Sequence, residues 1–196
     1  MSDLWVVLTA ASGIVATVLI VLSLGGGLLF SARATGTRPR PNWWLDLHNY
    51  LGGLAFAFTV LHVFAAFRDR LSGIGLLQVF VPMTATGWRW GITWGVLATY
   101  AFAAVVFTSW PKKRFSRRTW LLVHLVSIPA TFAVAAHAWM VGTDRDAWWL
   151  QSLLALLAGL AIYPAVLRLF SVAAKRKDRA ARAARSPRPP VPVGPR

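Results

Sequence analysis

From Leu4 to Ala32 the chain carries no charged residue, and comparable apolar stretches follow at Leu47 to Phe67, Trp90 to Trp110 and Thr119 to Val141. A fifth, Ala147 to Leu169, is interrupted only by Arg168. At about 1.5 Å of rise per residue, each can cross a hydrocarbon layer about 30 Å thick as a helix. Inside such a layer main-chain polar groups must be satisfied within the protein, and runs of this length do so as helices. The expected fold is all-α, an integral membrane bundle of five transmembrane helices. Met1-Ser2-Asp3 offers no basic leader and the first run is too long for a signal core, so it is expected to stay as a helix.

The stretch Leu71 to Trp88 is also uncharged, but Gly73, Gly75, Pro82, Gly87, Gln78 and two threonines make it a poor spanning helix. Charge placement decides its reading. With five spans and the N-terminus outside, 17 basic residues fall on the cytoplasmic side and 4 (Arg68, Arg70, Arg89 and Arg145) outside. A sixth crossing would move Pro111-Lys112-Lys113-Arg114 to the outside. Leu71 to Trp88 is therefore expected as an interfacial or re-entrant segment. Tryptophan agrees, since all 11 lie near predicted segment ends, at headgroup level. Residues 1–174 are expected to form one transmembrane domain. Residues 175–196, rich in Lys, Arg, Ala and then Pro, are expected as a disordered basic cytoplasmic tail. The localisation implied is a multi-pass protein of the cell membrane.

The formal charge of +15 needs no nucleic acid, because the basic residues sit between apolar runs and in the tail, where topology and anionic lipid account for them. Cysteine and glutamate are absent. Disulfides, iron–sulfur clusters, thiolate metals and cysteine nucleophiles are thereby excluded. Five of the 6 aspartates lie in or beside loops or the tail, and Asp46 opens an apolar segment, so no carboxylate pair is placed inside the membrane. No GxGxxG follows a strand pattern, which leaves no nucleotide-binding module here.

Histidine is the remaining ligand type, and all 4 histidines lie in apolar segments: His48 and His62 on the second span, His124 and His137 on the fourth. These spans run parallel. His48 and His124 lie near the cytoplasmic start of their helices, with His62 and His137 about 21 and about 20 Å further along. Two histidines on facing helices at one depth can ligate one iron from opposite sides, as axial ligands of a b-type haem. Two such pairs would hold two haems stacked across the membrane. On an ideal helix the 14 residues from His48 to His62 return the side chain to within about 40° of its starting direction, whereas the 13 from His124 to His137 leave about 140° of mismatch. Pro129 lies between the latter pair, so the fourth span is expected to change winding near it.

Leu47-His48-Asn49-Tyr50-Leu51-Gly52 with His62-Val63, and Trp120-Leu121-Leu122-Val123-His124 with His137, resemble the ferric reductase-like transmembrane domain. That family includes the membrane cores of ferric reductases and NADPH oxidases and the haem subunit of the methionine sulfoxide reductase system. The resemblance covers roughly Trp43 to Val141 and implies that His48, His62, His124 and His137 are bis-histidine ligands of two b haems. It implies either a ferric reductase-like oxidoreductase or an electron-transfer subunit of a larger redox system. The family commonly has six spans where five are read here. Its oxidase and reductase members append FAD and NAD(P)H domains that have no counterpart in this sequence. The implied partners are membrane lipids, a flavoprotein or quinol as electron donor, and an external redox acceptor.

Arg68, Arg117 and Arg118 stand where a haem propionate or a lipid headgroup can meet them, the headgroup being the more economical assignment. Gly52 and Gly53 suit either close approach of a porphyrin or helix packing, and Gly25-Gly26-Gly27 suits close packing or flexibility. Asp46, Asn49 and Tyr50 are expected to cap the second helix. The alternative function is a non-redox scaffold or transporter whose histidines pack the bundle or bind metal. Tetrahedral histidine coordination needs four ligands near one depth, and the spacing puts them at two.

Overall fold

The computed structural model describes residues 2–36, 41–69, 72–110, 115–142 and 146–185. They form seven helices: α1 (Ser2–Ala32), α2 (Pro41–Arg68), α3 (Leu76–Phe80), α4 (Arg89–Ser109), α5 (Arg117–Leu125), α6 (Ser127–Val141) and α7 (Trp148–Arg185). Five helical stretches are long and apolar enough to span a membrane, with α5 and α6 counting as one. The protein is thus an all-α, multi-pass membrane bundle. Apolar side chains face outward all round it, as expected where lipid replaces water. Eight of the 14 buried apolar residues are alanine, so the helices meet through small side chains that let backbones approach.

The bundle is built from two antiparallel pairs, α1 with α2 and α4 with α6, while α7 packs on α1. Gly25 explains the α1–α7 contact. Pro164 lies inside α7 and has no N–H, which leaves the Leu160 carbonyl without its helical partner. A Cβ on Gly25 would stand 3.3 Å from that oxygen and 3.6 Å from Pro164 Cγ, so the glycine lets α1 close over the break.

Three features refine or correct the sequence-based expectations. The second helix begins at Pro41, a residue suited to a first helical turn, so Asp46, Asn49 and Tyr50 lie within the helix and cap nothing. The fourth span is broken between Leu125 and Ser127, and Pro129 sits in the first turn of α6, where its missing N–H costs no helical bond. The tail expected to be disordered from residue 175 is instead helical as far as Arg185. Its Ala, Arg and Lys residues extend a helix already nucleated in the membrane. Residues 186–196 lie outside the described residues, as do Arg38, Arg40, Arg70, the Pro111-Lys112-Lys113-Arg114 loop and Arg145.

Between α2 and α4 the described residues 72–88 pack along α4. Tyr100 lies about 16 Å along α4 from Arg89, and its hydroxyl donates to the Phe80 carbonyl. The Met83 N–H donates to Thr93 Oγ1 at 2.9 Å. Phe80 therefore sits well below the end of α4, and the chain climbs back along it through Met83 to Arg89.

Candidate functional site

The structure brings the four histidines together as two facing pairs. His48 on α2 meets His124 on α5 with ring centres 5.8 Å apart and planes at 66°. His62 on α2 meets His137 on α6 at 5.9 Å and 83°. Between His124 and His137 the winding tightens at Val126, whose N–H donates to the Val123 carbonyl at the junction of α5 and α6. All four rings are half-buried.

Three of the rings are anchored through Nδ1. His48 lies 2.9 Å from the Ser23 carbonyl, His62 lies 2.8 Å from the Thr9 carbonyl, and His137 lies 2.9 Å from the Gly91 carbonyl. A carbonyl can only accept, so Nδ1 carries the proton in each case and Nε2 keeps its lone pair. The Ser23 hydroxyl also lies 3.2 Å from His48 Nδ1 and donates to the His48 carbonyl at 3.3 Å. His124 differs. Its Nδ1 is 3.5 Å from Ser109 Oγ, and the Trp120 indole stacks on its ring at 4.8 Å and 22° while donating Nε1–H to Ser109 Oγ at 3.3 Å.

Glycines set the distance between each anchored ring and its backing helix. A Cβ on Gly13 would stand 2.8 Å from His62 Nδ1, one on Gly27 would stand 3.0 Å from His48 Cε1, and one on Gly95 would stand 2.7 Å from His137 Nδ1. Any side chain at these positions would push the imidazole away. Gly13 and Gly95 do not stand out along the chain, and Gly27 was expected to serve close packing or flexibility. The available signal was spacing: Thr9 and Gly13 recur 14 residues on as Ser23 and Gly27, the interval that separates His48 from His62. Of the glycines beside His48 on its own helix, Gly52 faces Ser23 Oγ at 3.5 Å and Gly53 has open space around it.

An imidazole nitrogen binds a metal ion at about 2 Å, and with ~1 Å from nitrogen to ring centre two opposed ligands put their ring centres about 6 Å apart. Both pairs match that separation. Among the described residues no three His, Cys, Asp or Glu side chains converge on one point, so the donor set is two by two. Trp44, one turn before His48, has a buried Nε1–H with no partner among the described residues. The Arg68 guanidinium lies over the Trp5 ring at 5.4 Å, and Arg117 and Arg118 are exposed in the first turn of α5. An apolar cavity of about 370 Å³ between α4 and α6 is lined by Trp94, Pro129, Phe132, Ala133 and Ala136, with no histidine.

A family model described as ferric reductase like transmembrane component matches residues 12–135. The match includes His48, His62 and His124 and ends two residues before His137. No curated protein and no solved structure matches the chain significantly.

Proposed function

The chain belongs to the ferric reductase-like transmembrane family, a membrane redox family whose domains generally bind haem, and from that premise we propose that it is a two-haem b-type cytochrome. One observation carries the reading: two facing histidine pairs on α2, α5 and α6, spaced as axial ligands, with α1 and α4 packed behind the rings. His48 with His124, and His62 with His137, are the proposed ligands, within a haem-binding domain of residues 1–174. Bound there, haem iron supplies reversible one-electron chemistry.

The chain's own residues prepare that site. The Ser23, Thr9 and Gly91 carbonyls hold His48, His62 and His137 in the tautomer that leaves Nε2 as the ligand, and they raise its basicity. Gly13, Gly27 and Gly95 let the rings lie against the backing helices, so Nε2 points away from them. Trp44 offers its N–H to a haem carboxylate at the His48 end. The apolar flanks exclude water.

The pairs are about 21 Å apart along α2, which connects the two faces of the membrane. The excess of basic residues assigns the His48–His124 end to the cytoplasm and the His62–His137 end to the outside, with the N-terminus outside and the C-terminus cytoplasmic in the cell membrane. The donor in this reading is a separate flavoprotein or a quinol, and the acceptor is ferric iron, oxygen or an external redox protein. Detergent-purified protein is expected to show a Soret band, a dithionite-reduced α-band and about two haems per chain by pyridine haemochrome assay. A colourless protein that haem does not reconstitute would refute the proposal.

A further inference from the structure

Three histidines share one mode of support and the fourth departs from it. On α1, Thr9 with Gly13 supports His62, and Ser23 with Gly27 supports His48. The helices are antiparallel and both intervals are 14 residues, so each histidine meets the same element: a carbonyl for Nδ1 and, four residues on, a glycine against the ring. On α4, Gly91 and Gly95 supply that element to His137. Fourteen residues further along α4 the corresponding positions are Val105 and Ser109. There the glycine is replaced by a serine.

The replacement has two local effects. Ser109 carries a side chain where the other three supports have none, with its Oγ toward His124 Nδ1, and the described residues give His124 no main-chain carbonyl partner. Among the described residues the acceptor within its reach is Ser109 Oγ at 3.5 Å, an oxygen that already accepts Trp120 Nε1–H and can accept a second bond. Trp120 stacking holds the ring in place of the missing anchor. An imidazole whose Nδ1–H is given to a carbonyl is a more basic ligand at Nε2, and a more basic ligand favours ferric over ferrous iron.

We propose that Ser109 is a positioning residue that makes the two histidine pairs unequal, leaving His124 the weaker donor. The haem shared by His48 and His124 then has a higher reduction potential than it would with a fourth glycine-and-carbonyl support. The proposal rests on the two-haem reading. Its consequence is a preferred resting place for a single electron at the basic end of the bundle.

The test is an anaerobic redox titration of the detergent-solubilised full chain, followed at the α-band, for wild type, Ser109→Ala and Ser109→Gly. Electron paramagnetic resonance g-values of the ferric haems are read alongside. In S109A the last Nδ1 acceptor is lost, and one haem's potential is expected to rise while the other stays fixed. In S109G the repeat is completed and the ring can settle toward the Val105 carbonyl, so the same haem's potential is expected to fall. The expected size is about tenfold in that haem's oxidised-to-reduced equilibrium, about 59 mV for one electron. Opposite shifts in one haem are not expected of a residue that only packs helices. Unchanged potentials, shifts of one sign in both variants, or equal movement of both haems would overturn the proposal. A wild-type protein that does not bind two haems overturns the underlying reading and the proposal together, and that result is visible before any variant is titrated.

Discussion

Gly95→Ala separates haem support from fold stability in a single methyl group. The new Cβ would stand 2.7 Å from His137 Nδ1, 2.9 Å from Cε1 and 3.1 Å from Cγ, whereas ordinary contact begins at 3.4 Å. The ring must therefore retreat by about 0.7 Å, or α4 and α6 must part by as much, and overpacking of this kind costs about 1–3 kcal/mol. Either movement stretches the 2.9 Å bond from Nδ1 to the Gly91 carbonyl, the contact that aims Nε2. Loss of such a support typically lowers metal affinity by about 10- to 100-fold. Alanine also improves helix propensity by about 1 kcal/mol, which offsets part of the packing cost. Folding should thus change little while one haem is lost readily. Gly159→Ala on α7 is the control, because its Cβ meets nothing within 4 Å and gains the same propensity. The assay is haem transfer from purified protein to excess apomyoglobin. G95A should release one of two haems at least about tenfold faster than wild type, and G159A should match wild type. Equal release from G95A and G159A, with unchanged ferric g-values, would refute the idea that the glycine positions the ligand.

Inserting one alanine after Val126 should swing His137 by about 100° relative to His124. The expected result is loss of the His62–His137 haem, with the other retained, by pyridine haemochrome count. Ending the chain after Ala174 should leave both haems in place, since the basic extension of α7 lies beyond both histidine pairs. The sequence has no native cysteine, so single cysteines report topology directly. Arg179→Cys should react with an impermeant maleimide only after cells are permeabilised, and Ile74→Cys should react in intact cells; the reverse pattern would invert the proposed orientation. If the segment before α4 dips into the membrane, Phe80→Cys should label slowly, and Tyr100→Phe should speed that labelling by releasing the segment from α4.

The five spans, the two depths of the histidines and the need for irregular winding between His124 and His137 were legible along the chain. Hydropathy, residue rise and helical rotation are properties of one segment at a time, so Leu4 to Ala32 or the 14 residues from His48 to His62 carry their meaning without a neighbour. Helix ends were less legible. Pro41 starts α2 earlier than hydropathy suggests because a proline fits a first turn, and α7 runs past its apolar stretch to Arg185 because Ala, Arg and Lys continue a helix that is already formed. The position of Phe80 along α4 depended on a hydroxyl 20 residues away. What surrounds each histidine depended on tertiary structure throughout. Whether Gly95 or Gly53 touches a ring, and whether an Nδ1 finds a carbonyl or Ser109, follows from the axial register and mutual rotation of separate helices. Local sequence does not encode those two quantities. They are set when α1 closes on α2 and α4 closes on α5 and α6, and small side chains at the contacts decide how near the backbones come.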